Sequence, residues 1–196
     1  MMKTVCLTLL LIAFLLTSQT ANAQNILESG VKTDANVQSE RFFGIETDYL
    51  AFRIGEPDSY LICGWYGREH FKYSLLFAKI DYAPEHETYE DADSESDIAA
   101  FRVDYFWNEN LKGFWLGGAV VFEKTELVYH SERGSLNTIS LGVSGGYSYH
   151  LTDRFYVAPY LNILVPVERR KCVVDGKEFK NASWGLEPGI KIGFVF

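Results

Sequence analysis

From Phe42 onward, apolar and polar positions alternate with a period of two, the spacing of a strand with two unlike faces. The pattern is clearest at the end of the chain. There Trp184, Leu186, Pro188, Ile190, Ile192, Phe194 and Phe196 share one face, while Gly185, Glu187, Gly189, Lys191, Gly193 and Val195 share the other. An earlier segment repeats it: Ile139, Leu141, Val143, Tyr147, Tyr149 and Leu151 oppose Ser140, Gly142, Ser144, Gly146, Ser148 and His150. In a soluble protein the apolar face turns to a core, and a soluble periplasmic β-barrel is the architectural alternative. Small and polar residues on one face, with large apolar ones on the other, instead suit a narrow lumen inside and lipid outside.

The alternation predicts eight strands, at Gly44–Ile54, Ser59–Gly67, Phe71–Ile80, Asp97–Trp107, Phe114–Tyr129, Leu136–Leu151, Arg154–Pro166 and Ser183–Phe196. Most reach the roughly 9–11 residues that a tilted strand needs to cross a bilayer core. The links also alternate. Arg68–His70, Asn108–Gly113 and Thr152–Asp153 are short, Asp81–Ser96 and Val167–Ala182 are long, and His130–Ser135 is intermediate. Gly55–Asp58 is short where the alternation asks for a long link. Short periplasmic turns and longer outside loops follow one another in this way in outer-membrane barrels. The fold class expected is therefore all-β, an eight-stranded antiparallel up-and-down transmembrane β-barrel over residues 41–196.

Aromatic residues collect where this topology puts the periplasmic rim: Phe42, Phe43, Trp65, Tyr66, Phe71, Trp107, Phe114, Trp115, Tyr149, Phe155 and Phe196. Tyr60, Tyr82, Tyr129 and Trp184 form a thinner opposite girdle. Rings with one polar edge favour the membrane–water boundary.

The first residues read as a leader. Lys3 supplies the charged start, Val5–Leu16 the apolar run, and Ala21-Asn22-Ala23 the small-residue cleavage site. Residues 1–23 are expected to be a signal peptide removed after Ala23, and the polar residues 24–40 a flexible periplasmic arm. Cys6 lies inside the apolar run, too early to be a lipidated cysteine.

A leader, alternating strands and a terminal Gly193-Phe194-Val195-Phe196 resemble the small eight-stranded bacterial outer-membrane barrels. Gly44-Ile45-Glu46-Thr47-Asp48-Tyr49-Leu50-Ala51-Phe52 is similar to the opening strand of uncharacterised members of that class. The resemblance implies a place in the bacterial outer membrane, against its lipid and lipopolysaccharide. It also implies that Phe194 and Phe196 form an assembly signal read by the barrel-assembly machinery.

Charge and composition remove other classes. The 196 residues carry a formal charge of −8, so no basic nucleic-acid footprint exists, and 15% aromatic content is too high for a disordered chain. Seven ionisable residues fall on lumen faces: Glu46, Asp48, Arg102, Asp104, Glu123, Glu187 and Lys191. Closing the last strand on the first brings Lys191 to Asp48 or Glu46. Such inward charges need partners, because an unpaired buried charge costs several kcal/mol. A plug of ion pairs is the expectation, with a narrow ion path as the alternative.

The stretch Asp81–Asp97 holds eight acids and no Lys or Arg, and Asp91, Asp93 and Glu95 offer oxygen ligands. Ser96 stands where an EF-hand loop has glycine, however, and Arg102 stands at its last ligand position, so a solvated loop is expected. Arg169, Arg170, Lys171, Lys177 and Lys180 make the other long link basic, fit to pair with the acidic loop or with lipid phosphates. Cys63 and Cys172 are placed too far apart for a disulfide. Nothing points to a zinc site or any other cofactor. Ser148 and His150 share one face but lack an orienting acid, so they read as polar lining.

Pro159 and Pro188 fall inside consecutive strands on the lipid-facing side, where proline removes a ladder bond. They are expected to open a lateral seam between the last two strands. The function these readings favour is a monomeric, non-enzymatic outer-membrane barrel with a structural, adhesive or surface-interaction role through its outside loops. An outer-leaflet lipid-modifying enzyme and a narrow solute channel are the alternatives.

Overall fold

The computed structural model describes residues 41–49, 59–82, 92–168, 170–181 and 183–196. The leader, the arm, the end of the first predicted strand, Gly55–Asp58 and most of the acidic link lie outside the described residues. Ten strands are present among those described: β1 (Arg41–Asp48), β2 (Tyr60–Arg68), β3 (Phe71–Tyr82), β4 (Asp93–Phe106), β5 (Gly113–Tyr129), β6 (Glu132–His150), β7 (Phe155–Pro166), β8 (Lys171–Val174), β9 (Lys177–Lys180) and β10 (Gly185–Val195). Eight of them close antiparallel, each on its neighbours in sequence, with β10 sealing onto β1. The remaining two, β8 and β9, form a separate hairpin.

Sequence alternation becomes radial alternation. Ile45, Leu75, Phe77, Phe101, Leu116, Phe122, Leu141, Val143, Leu161, Ile163 and Ile192 are all exposed on the outer wall. Glu46, Asp48, Lys72, Asp104 and Lys191 are buried inside it. Inward glycines make room for inward rings. A Cβ at Gly193 would overlap the Tyr156 ring, and one at Gly44 would overlap that of Trp65.

The end that bears Arg41, Phe196 and the links after β2, β4 and β6 is the turn end. Phe43, Phe71, Trp107, Phe114, Tyr149 and Phe155 ring it on the outside. Trp65 and Trp115, expected in that girdle, instead point inward at 7% and 3% exposure, and Phe42 packs against them. Their strand parity puts them on the lumen face, and with Phe106, Leu111, Tyr156 and Val195 they fill the turn end of the barrel. An eight-stranded barrel is about wide enough for side chains to fill.

At the opposite, loop end the strands outrun the wall. β5 pairs with β6 as far as Tyr129↔Glu132, whereas β6 meets β7 only from Ser140↔Pro166. The intermediate link His130–Ser135 is therefore a two-residue turn, with His130 at φ 48° and Ser131 at φ 73°, both left-handed as a hairpin twist requires. The acidic link is likewise shorter than expected, because β3 and β4 pair up to Tyr82↔Ser94. The link Val167–Ala182, expected as a loop, contains the β8–β9 hairpin turned by Asp175 and Gly176 at φ 46° and 76°. Val174 and Phe179 of this hairpin, with Ala92, Leu127 and Leu136, form a second small core beyond the barrel. Tyr129 packs there as well, rather than in an outer girdle.

The ladder between the last two barrel strands is continuous past both prolines. β7 and β10 stay in register from Gly185↔Leu164 to Phe194↔Phe155, with Pro188 opposite Leu161 and Pro159 opposite Ile190. The outward residues of β10 direct their backbone to β1 instead: Tyr49 N–H donates to Ile190 O at 2.9 Å, and Phe196 N–H to Phe43 O at 2.9 Å. Pro188 belongs to that set, so its missing donor faces β1. Pro159 faces β6, where pairing runs to Gly146↔Tyr160 and resumes at Tyr149↔Val157. The two weak points thus flank the β7–β10 pair rather than part it. Among β6 residues whose backbone faces β7, hydrogen exchange in micelles should be faster at Tyr147 than at Val143, and equal protection would place no gap at Pro159.

Candidate functional site

The buried charges gather in one layer just above the aromatic filling. Lys72 on β3 donates to Glu46 on β1 at 2.5 Å and to the Tyr156 hydroxyl at 3.2 Å, while Tyr156 donates to the same Glu46 oxygen. Arg102 on β4 spends Nε and Nη2 on Asp104 Oδ2, at 3.0 and 2.8 Å. Tyr160 on β7 donates to Asp48. Lys191 lies opposite Asp48 in the β1–β10 register, 3.6 Å from Glu46 Oε1 and 3.9 Å from Asp104 Oδ2. Three acids and three bases therefore balance within the layer.

Aromatic faces hold the cations from below and the side. Lys72 stands 4.9 Å from the centre of Trp65, and Arg102 and Lys191 stand 4.8 and 4.4 Å from Trp115. Each contact adds attraction between the charge and the ring face. The layer is thus a polar lid bonded onto an aromatic plug.

Five of the seven residues expected in the lumen network meet here: Glu46, Asp48, Arg102, Asp104 and Lys191. Glu123 and Glu187 do not join them. They stand nearer the loop end, where Thr125 donates to Glu123 at 3.4 Å and Asn162 donates to Glu187 at 3.1 Å. No cation lies within ion-pair distance of either among the described residues. Lys72, Tyr156 and Tyr160 belong to the layer but were not among the expected site residues. The parity of Phe71, Tyr73 and Leu75 already puts Lys72 inward, and that of Pro159 does so for both tyrosines.

Two cavities lie on either side of the layer. Toward the loop end is a chamber of about 550 Å³, floored by Glu46, Asp48, Arg102 and Lys191 and walled by Leu61, Leu76, Ala100, Val121 and Leu164. Toward the turn end is a pocket of about 190 Å³ lined by Lys72, Ser148, His150 and Tyr156. His150 stacks on Tyr156 with ring centres 5.3 Å apart and makes no hydrogen bond to Ser148. Among the described residues no group of three His, Cys, Asp or Glu side chains is placed to hold a metal ion. Cys63 and Cys172 are both free.

The described basic residues of this link have partners close by. Lys171 pairs with Glu178 at 2.8 Å, Arg170 with Glu168 at 3.1 Å, and Lys177 lies 4.9 Å from the Tyr129 ring centre. The hydrogen bond from Lys171 holds the Glu178 carboxyl below the usual carboxylate range, and burial pushes the Cys172 thiol up. Arg169 lies outside the described residues. At the other end Phe194 and Phe196 stack edge to face, 5.4 Å apart, and Phe196 is 74% exposed.

A closed eight-stranded antiparallel barrel, apolar outside and charged within, has the fold of the bacterial outer-membrane barrels. The chain is similar to the crystal structure of Neisserial surface protein A, with a TM-score of 0.51 at 11% identity over 81% of this chain and 94% of that one. It is also similar to a major outer membrane protein from Thermus thermophilus, with a TM-score of 0.50 at 10% identity over 80% of this chain and 100% of that one. Comparison of the sequence with protein-family models and with curated proteins gives no match. At these identities the likeness is one of fold.

Proposed function

We propose that this protein is an integral barrel of a bacterial outer membrane, without an open pore, and that its role is structural or adhesive through the loop end. The observation that carries this reading is the inverted burial. Large apolar side chains are exposed all around the wall, and ion pairs are buried inside it. A contiguous apolar surface of that extent calls for lipid. The sheet extension and the β8–β9 hairpin, built on their own small core, supply a defined surface outside that wall. Conduction has less support, because the charge layer and the aromatic plug stand across the lumen. The exposed terminal Phe196 supports a signal for the assembly machinery.

Membrane fractionation of expressing cells tests both points together. The full chain should enter the outer membrane and migrate faster on a gel before boiling than after. Deleting Phe196 should lower the assembled fraction several-fold relative to Lys180→Ala. Recovery of the full chain from the soluble periplasm would sink the membrane reading, and equal assembly of the two variants would remove the terminal signal.

A further inference from the structure

We propose that the chamber above the charge layer binds a short apolar peptide with free ends, its carboxylate on Lys191 and Arg102 and its ammonium at Glu187. Three features on different strands point to such a ligand. The floor has an unused donor: Lys191 Nζ lines the chamber, in a side chain more than nine-tenths buried, and makes no hydrogen bond. Beside it, Arg102 directs only Nε and Nη2 to Asp104. The carboxylate neighbours of Lys191, Glu46 and Asp104, stand at 3.6 and 3.9 Å, beyond hydrogen-bond reach, so an incoming carboxylate can take the donor at shorter range.

The wall is apolar, formed by Leu61, Leu76, Ala100, Val121 and Leu164. The upper chamber is anionic, since among the described residues Glu123 and Glu187 have no cation within ion-pair distance while the floor is balanced. A simple fatty acid satisfies the floor and the wall but puts no positive charge beside these carboxylates. A zwitterion complements both ends.

The spacing selects the length. Glu187 and Lys191 both face inward on β10, four positions apart, so their Cα atoms are separated by about 13 Å along the strand. Three extended residues span about 10 Å, and the two side chains reach the rest. A chamber of about 550 Å³ is within the ordinary range for a small-ligand site. The inference adds to the surface role and is independent of membrane orientation, because its test uses the isolated barrel.

The test is calorimetric titration of the full barrel in lipid nanodiscs with trileucine, N-acetyl-trileucine and trileucine amide. Free trileucine should bind, and blocking either end should weaken binding by about tenfold or more. Glu187→Gln should erase the advantage of the free amino end while leaving the penalty for the amide. Glu187 makes no ion pair among the described residues, and the gel shift on boiling checks that this variant is folded. Absence of trileucine binding, equal binding of all three peptides, or tighter binding of decanoate than of trileucine would each overturn the proposal.

Discussion

Replacing Lys72 by methionine should cost the barrel about 3–5 kcal/mol, the usual loss when one partner of a buried ion pair is removed. Lys72 and Glu46 have side chains only 5% and 4% exposed, so water cannot take over the role of the missing ammonium. Glu46 would keep its Tyr156 bond but lose its closest positive charge. The measurement is reversible urea unfolding in lipid vesicles, read from the midpoint at constant slope. Glu46→Gln combined with Lys72→Met should recover most of the loss, because the pair's value lies in mutual neutralisation. A cost below about 1 kcal/mol for the single variant would mean that Lys191, 3.6 Å from Glu46, already neutralises the carboxylate.

Trp115→Ala should be about as destabilising and should also change what the barrel passes. Removing a buried tryptophan side chain costs about 3–5 kcal/mol through lost burial and the cavity left behind. Trp115 is 3% exposed and packs against Phe106 and Tyr160 while facing Arg102 and Lys191. The space it leaves adjoins the charge layer. In planar bilayers the parent protein should show no steady conductance, whereas the alanine variant should show discrete openings. Steady channels in the parent would refute the closed lumen. A silent and fully stable variant would show that the plug does not depend on this ring.

Both expectations rest on the same division of labour. The outer wall is a sleeve of exposed apolar side chains that contributes little specificity, so the interior must choose one arrangement. It does so by pairing charges from β1, β3, β4 and β10 above aromatic rings from β2, β5 and β7. Each inward glycine beneath a ring, such as Gly193 under Tyr156, removes a side chain that would otherwise push the ring out of place.

Local alternation decided a great deal by itself. Which face each residue presents follows from a period of two, and that period survives any change of partner. Strand number, closure and the inward placement of Glu46, Asp48, Arg102, Asp104 and Lys191 were therefore legible in the sequence. The inward aromatics were legible too, since Trp65 shares parity with Cys63 and Gly67. Membrane rings and plug rings look the same as composition, however, and only strict parity separates them. The β8–β9 hairpin also left a signal, Asp175-Gly176 between two short runs, of the kind that favours a tight hairpin turn.

What parity cannot supply is height. Strand tilt in a closed barrel slides neighbours past one another, so depth depends on the register of every ladder at once. That is why Glu123 and Glu187 stand apart from the other five charges, and why Lys72, far from them in sequence, becomes the closest partner of Glu46. Register also decides which neighbour a proline deprives. Pro159 and Pro188 sit on the expected face, but the direction of their missing donors alternates along each strand, toward β6 for one and β1 for the other. The sequence determined the two faces of every strand; the closed ladders alone decided which inward side chains share a level, because that is a property of eight registers taken together.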